Sequence, residues 1–181
     1  MADNQRAKEI IAEIVRASPG GSISSKTRLY KAFYFAHLYY AKDQPDYLSD
    51  WPIVRMPYGP GIDGSDELIR EMADEGTINA VSRFDGGPFP SNEYRIAESK
   101  KTPSTLLSLE AISAIQKAVA FVQDKSSAEL STLTHERSRA WQEAADGEIL
   151  DVYIDLMSDD EYERYKTRVD RIVTNLDAAW R

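Results

Sequence analysis

At 181 residues, with 42% hydrophobic and 29% charged side chains, the chain has the composition of one soluble globular domain that can bury a core without covalent staples. It has no cysteine, which excludes disulfides, thiolate zinc sites and cysteine nucleophiles. A formal charge of −8 disfavours nucleic acid as a ligand; the acidic run from Glu143 to Glu163 reads first as a solubilising helical face and, alternatively, suits a basic protein partner. The polar start MADNQRAKEII and the short apolar stretch AFYFAHLYYA argue for a cytoplasmic protein with neither secretory leader nor membrane span.

The first helix is predicted from Asp3, as N-cap, to about Ser18: Ala7, Ile10, Ile11, Ile14 and Val15 recur at helical spacing, and Pro19-Gly20-Gly21 stops it. A second helix, about Ser25 to Lys42, has two adjoining apolar faces, Leu29, Phe33, Ala36 and Tyr40 on one and Tyr30, Tyr34, His37 and Ala41 on the other. A helix apolar on most sides belongs in the middle of a core, where its tyrosine hydroxyls need partners. Leu48 to Met56 reads as one extended segment at a sheet margin, because Pro52 and Pro57 remove ladder donors. A third helix starts near Asp63 to Ser65, uses Leu68, Ile69, Met72 and Ala73, and ends at Gly76. Ile78 to Phe84 and Asn92 to Ala97 alternate as a hairpin whose loose loop contains DGGPFPS.

Helices then dominate. Ser108 caps one with a stripe of Leu109, Ile112, Ile115, Val119 and Val122. Ser126 with Glu129, ahead of Leu130 and Leu133, has the capping-box pattern. So has Ser158 with Glu161, ahead of Tyr162, Tyr165, Val169, Ile172, Val173 and Leu176. The sum is a single domain over residues 1–181, α+β but mostly α: a helical bundle with a small antiparallel sheet.

The segment RMPYGPGIDGSDEL (Arg55 to Leu68) holds Gly59, Gly61 and Gly64 at the spacing of a dinucleotide-binding turn. Pro60 has no N–H for a phosphate, Asp63, Asp66 and Glu67 crowd the helix start with like charge, and the following segments read as antiparallel. The better reading is architectural. Pro57 and Pro60 bracket Tyr58-Gly59 in a rigid bend that sets the angle between the extended segment and the next helix, with Tyr58 either anchored on the core or displayed to a partner.

Three segments together resemble the Panacea domain family of SocA-like and GepA-like, phage-associated antitoxins. TRLYKAFYFAHLYYA (Thr27 to Ala41) is similar to the family's opening helix, WPIVRMPYGPGI (Trp51 to Ile62) to its run ending in Y-G-P, and ELSTLTHERSRAWQEA (Glu129 to Ala145) to its T-H…W segment. They occur in the family's order within about residues 25–145. An acidic segment and an amphipathic helix follow over 146–181. The chain departs from the pattern at Val54-Arg55-Met56-Pro57, before Y-G-P, and at Ser138-Arg139-Ala140, which replaces the usual proline before Trp141. The resemblance marks Lys31, Tyr34, Phe35, His37, Tyr58, Gly59, Pro60, His135 and Trp141 as motif positions. It implies an antitoxin that neutralises a toxin encoded beside it, by protein–protein contact and without a cofactor or catalytic group, either masking the toxin or handing it to a protease.

A rival reading uses the two histidines, His37 and His135, with Glu136 as a metal-assisted hydrolase. The favoured alternative makes both structural, His37 as a satisfied core residue and His135, near a helix end, either as a partner to a backbone carbonyl or as a complement to the helix dipole. A DNA-binding reading lacks a basic recognition helix. Trp141 reads as a core plug. The last helix either docks on the body, the favoured reading, or offers its seam to a toxin or to a second copy in a homodimer. From expected exposure, the candidate contacts are Arg55, Tyr58, Asp151, Asp155, Asp159 and Tyr162.

Overall fold

The structure, a computed structural model, describes residues 4–84 and 91–179, the last four of them by backbone alone. Helix α1 (Asn4–Ala17) buries Ala7, Ile10, Ile11, Ile14 and Val15, the stripe read from the sequence; its expected cap, Asp3, lies outside the described residues. The chain turns through Pro19 and the left-handed Gly20 (φ +67°) into strand β1 (Ser22–Ser24). This strand was missed, because three residues are too few to show alternation.

Ser25 caps α2 (Lys26–Asp43) by accepting the Arg28 N–H at 3.2 Å. The helix is buried on most of its circumference, as expected, and its tyrosines find polar partners: Tyr30 bonds Ser65, and the Tyr34 hydroxyl donates to Asp155 at 2.6 Å.

The extended segment after α2 resolves differently from its expectation. Ile53–Met56 forms β2, the chain turns at Pro57-Tyr58, and Gly59–Ile62 returns as β3, with Met56 opposite Gly59 and Arg55 opposite Pro60. The bend is therefore the turn of a two-residue hairpin, and Pro60 lies within a strand. Its register explains why proline is tolerated: the pair closing a two-residue turn is hydrogen-bonded, so the next pair points its backbone groups outward, where β2 needs no donor from Pro60. Nor is β2 a sheet margin. Its outer edge takes up Gly147–Leu150, through Arg55 N–H to the Glu148 carbonyl at 2.8 Å and Leu150 N–H to the Ile53 carbonyl at 2.8 Å.

Helix α3 (Ser65–Asp74) starts at Gly64 (φ +57°) and stops as expected at Gly76, whose N–H bonds the Ala73 carbonyl while Thr77 N–H bonds that of Met72. Strands β4 (Ile78–Arg83) and β5 (Ser91–Ile96) form the expected antiparallel hairpin; residues 85–90 of the loop lie outside the described residues. β5 also pairs with β1, giving the order β1-β5-β4.

Helix α4 (Leu109–Gln123) is capped by Ser108 but buries Ala111, Ala114, Ile115, Ala118, Val119 and Val122, leaving Leu109 exposed. Of the expected stripe, Ile115, Val119 and Val122 are buried and Ile112 is half-buried; Ala111, Ala114 and Ala118 join them on the buried side of a helix that packs against α2. Helix α5 (Ser127–Arg137) has the complete capping box of Ser126 and Glu129. The short α6 (Arg139–Glu143) follows, and after a 3₁₀ turn over Val152–Leu156 comes α7 (Asp159–Ala179), with Ser158 and Glu161 bonded reciprocally at its start. Seven α-helices and five short strands in two antiparallel sheets, among the described residues, make an α+β architecture that is mostly α. No described helix is long and apolar enough to cross a membrane.

Candidate functional site

The three singled-out segments, far apart in the chain, meet at the tip of the β2–β3 hairpin. Two backbone carbonyls around the turn are each held by a side chain from outside it. Trp141 Nε1 donates to the Met56 carbonyl at 2.9 Å and Lys31 Nζ donates to the Pro60 carbonyl at 2.9 Å, while His135 Nε2 is buried with no hydrogen-bond partner among the described residues. Pro60 can present its carbonyl to α2 because its register turns that group away from β2. Gly59 has φ +99°, and a Cβ there would overlap Thr134 Oγ1 and Lys31 Nζ, so α2 and α5 approach the strand backbone directly. Thr134 bonds back to the Leu130 carbonyl at 3.0 Å.

Around this contact the aromatics stack. His135 lies on Trp141 with ring centroids 4.0 Å apart and planes 12° from parallel. The Arg55 guanidinium sits 4.3 Å from the Trp141 ring, donates to the Trp141 carbonyl at 3.0 Å and pairs with Asp146. Burial, with the Lys31 and Arg55 charges nearby, holds His135 below the ordinary histidine range, so it is a neutral ring at neutral pH. Lys31 is 1% exposed and meets no carboxylate among the described residues; burial pushes its ammonium down to about 7.

What this framework displays is Tyr58, 62% exposed at the turn. Beside it a cavity of about 520 Å³ opens between α2, the hairpin and the start of α3, lined by Tyr30, Lys31, Met56, Pro57, Tyr58 and Ile62 among others. Three further lining charges are paired, Lys26 with Asp66 and Glu67 with Arg70.

A second polar cluster sits behind the hairpin. Asp155 accepts from the Tyr34 hydroxyl, from Ser138 Oγ at 2.8 Å and from the Ala140 N–H at 3.0 Å. Burial and Asp155 push the Tyr34 phenol well up, so it remains a donor. Ser138 caps α6 by accepting the Trp141 N–H at 3.1 Å. Phe35 is half-buried and meets Phe121 edge to face at 4.7 Å.

The hydrolase constellation does not assemble. His37 donates from Nδ1 to the Phe33 carbonyl at 2.8 Å and accepts at Nε2 from Ser49 at 2.9 Å; full burial lowers it to about 4. With both nitrogens occupied it cannot join His135, which belongs to the hairpin, and Glu136 is exposed. Among the described residues, no three or more His, Asp or Glu side chains are placed to hold a metal ion.

The candidate contacts divide. Tyr58, Asp151 and Asp159 are exposed, Asp159 while pairing with Arg139. Arg55, Asp155 and Tyr162 are not free: Arg55 is folded onto Trp141, Asp155 is an internal acceptor, and Tyr162 is 7% exposed, bonded to Glu143 beneath Arg139. Expected exposure failed for them because sequence does not say which polar groups a fold turns inward. The favoured docking of the last helix also fails beyond its first turn, for every residue from Glu163 to Asn175 is exposed. Sequence reasoning missed Thr134, Ser138 and Arg139; the adjacency of Thr134 to His135 was the one available signal for the first.

A family model described as "Antitoxin SocA-like, Panacea domain" matches residues 29–142, a span that contains Lys31, the hairpin, His135 and Trp141. No curated protein and no solved structure matches the chain.

Proposed function

The chain belongs to the antitoxin SocA-like Panacea family, and from that premise we propose that it neutralises a cognate protein toxin, encoded nearby, by direct contact in the cytoplasm and with no chemistry of its own. Residues 1–181 act in this reading as one antitoxin domain. The observation that carries it is the hairpin tip, where the backbone on both sides of Tyr58 is fixed through the Met56 and Pro60 carbonyls while the ring itself stands in solvent. An aromatic side chain on a rigid turn loses little conformational freedom when it is covered, which is why tyrosines anchor protein interfaces.

Tyr58 is then the anchor, the adjoining cavity receives a side chain of the toxin, and Lys31, His135, Trp141 and Arg55 are positioning residues that hold the turn. The charge of −8 and the exposed Asp151 and Asp159 favour encounter with a basic toxin. Masking the toxin's working surface and delivering it to a protease both begin with this contact.

The test is co-expression with each flanking gene, scored by growth and by co-purification. One neighbour is expected to be toxic alone and harmless with this protein. Tyr58→Ala should lose the rescue and the co-purification while melting within about 2 °C of the parent, since an exposed side chain contributes little to stability. Rescue undiminished by Tyr58→Ala would overturn the assignment of the tip, and the absence of any toxic neighbour would overturn the antitoxin reading.

A further inference from the structure

Helix α7 leaves the body after a single turn. Tyr162 is its last buried side chain, held by Glu143 and covered by Arg139, and the loose 4.0 Å approach of Lys166 to Glu143 is the last ion pair to the body among the described residues. The 21-residue helix is about 30 Å long, so most of it stands without tertiary support. Most helical stability in proteins comes from packing an amphipathic face, so a partner for the apolar side of α7 would stabilise it.

That side is a regular seam. Tyr162, Tyr165, Val169 and Ile172 follow the 3-4-3 spacing of a coiled-coil core, and the sequence carries the register on to Leu176. Numbered as heptads, Tyr162 and Val169 are a positions, and Tyr165 and Ile172 are d positions. Among the free members Tyr165, Val169 and Ile172 are 38%, 37% and 48% exposed, and Val173, at an e position, widens the seam at 51%.

We propose that α7 pairs in parallel with α7 of a second copy, as a short two-stranded coiled coil. The flanking charges select this occupant and this direction. In parallel register the g residue Glu161 faces the e residue Lys166 of the other copy, an opposite-charge pair on each side of the seam, and the Arg168 stem lies over Val173. Only Oε2 of Glu161 is engaged by Ser158. An antiparallel pairing sets Lys166 against Val173 and Arg168 against Asn175, with no such attraction. A basic toxin is a poor occupant, because Arg164, Lys166, Arg168 and Arg171 make this stretch cationic, opposite in sign to the acidic run from Glu143 to Glu163. Pairing through α7 also leaves Tyr58 accessible, so the dimer stands independently of the antitoxin reading.

So short a seam falls below the area of a stable standard interface, and a dissociation constant of about 10–100 μM is expected. Sedimentation velocity on the full chain between 5 and 300 μM should show the mass rising from the 20.4 kDa monomer towards twice that value. Val169→Glu with Ile172→Glu should weaken association at least tenfold. Because the chain has no cysteine, single Val169→Cys and Ile172→Cys variants report direction cleanly. Parallel pairing links each variant to itself under mild oxidation, whereas antiparallel pairing links 169 to 172 only when the two variants are mixed. A monomer at every concentration, a dimer indifferent to the double glutamate variant, or the mixed cross-link would each overturn the proposal.

Discussion

The β2–β3 hairpin and helix α7 both project from a body centred on α2, yet they are held in opposite ways. The hairpin has side chains from α2 and α6 on its carbonyls and α2 and α5 against Gly59, so its conformation is fixed before any partner arrives. Helix α7 is fixed at Tyr162 and open from Glu163 to Asn175. The contrast is one of conformational entropy. A turn ordered by folding can bind through a single exposed ring, whereas a free helix needs a repeated seam to offset the ordering that binding imposes. Two exposed apolar features of one chain therefore call for different kinds of partner.

Substitutions can break this contrast, and the largest effect is expected at Gly59. Gly59→Val combines a β-branched residue at φ +99° with overlap against Thr134 and Lys31, so a loss of about 4 kcal/mol is expected in urea denaturation. A variant that unfolds at the parental midpoint would show that the tip is not packed as described.

Lys31 sharpens the same side of the comparison through pH. The unfolded lysine keeps its proton up to about pH 10.5, whereas the folded one releases it near 7, so between those values folding expels a proton and stability rises with pH. Relative to Lys31→Met, which cannot titrate, the parent should gain roughly 2 kcal/mol between pH 7.5 and 9.5, read from urea midpoints of both proteins. A constant difference across that range would mean that the ammonium is solvated in the folded protein.

The smallest effect is expected at the other end of the molecule. Truncation after Thr167 removes the outer part of α7 but no buried side chain among the described residues, and should change the body's unfolding free energy by less than about 1 kcal/mol at concentrations where the chain is monomeric. A larger loss would mean that α7 supports the body, and the two regions would no longer differ in kind.

Much of this was legible residue by residue. The burial of α1, the encirclement of α2, the Gly76 stop and both capping boxes are local matters, decided within a few residues by periodicity, φ preference and reach to a neighbouring N–H. The site was legible only as parts. Lys31, Tyr58-Gly59-Pro60, His135 and Trp141 were marked as motif positions, but no local rule joins residues about a hundred positions apart. The misreadings have the same cause. β1 exists because β5 pairs with it, β2 is covered by a segment from the far end of the chain, and Asp155 turns inward because Tyr34, Ser138 and the Ala140 N–H all need an acceptor.

By itself the sequence determined the kinds of element, their caps and stops, the acidic balance and the motif set of an antitoxin-like family, since each depends on side chains close together in the chain. The tertiary structure alone decided which polar groups are internal, that the proline-bracketed bend is a hairpin gripped from three sides, and that the last helix stands free. Those outcomes depend on which distant surfaces come to share one core, and hydrogen-bond partners and buried area are settled only once they do.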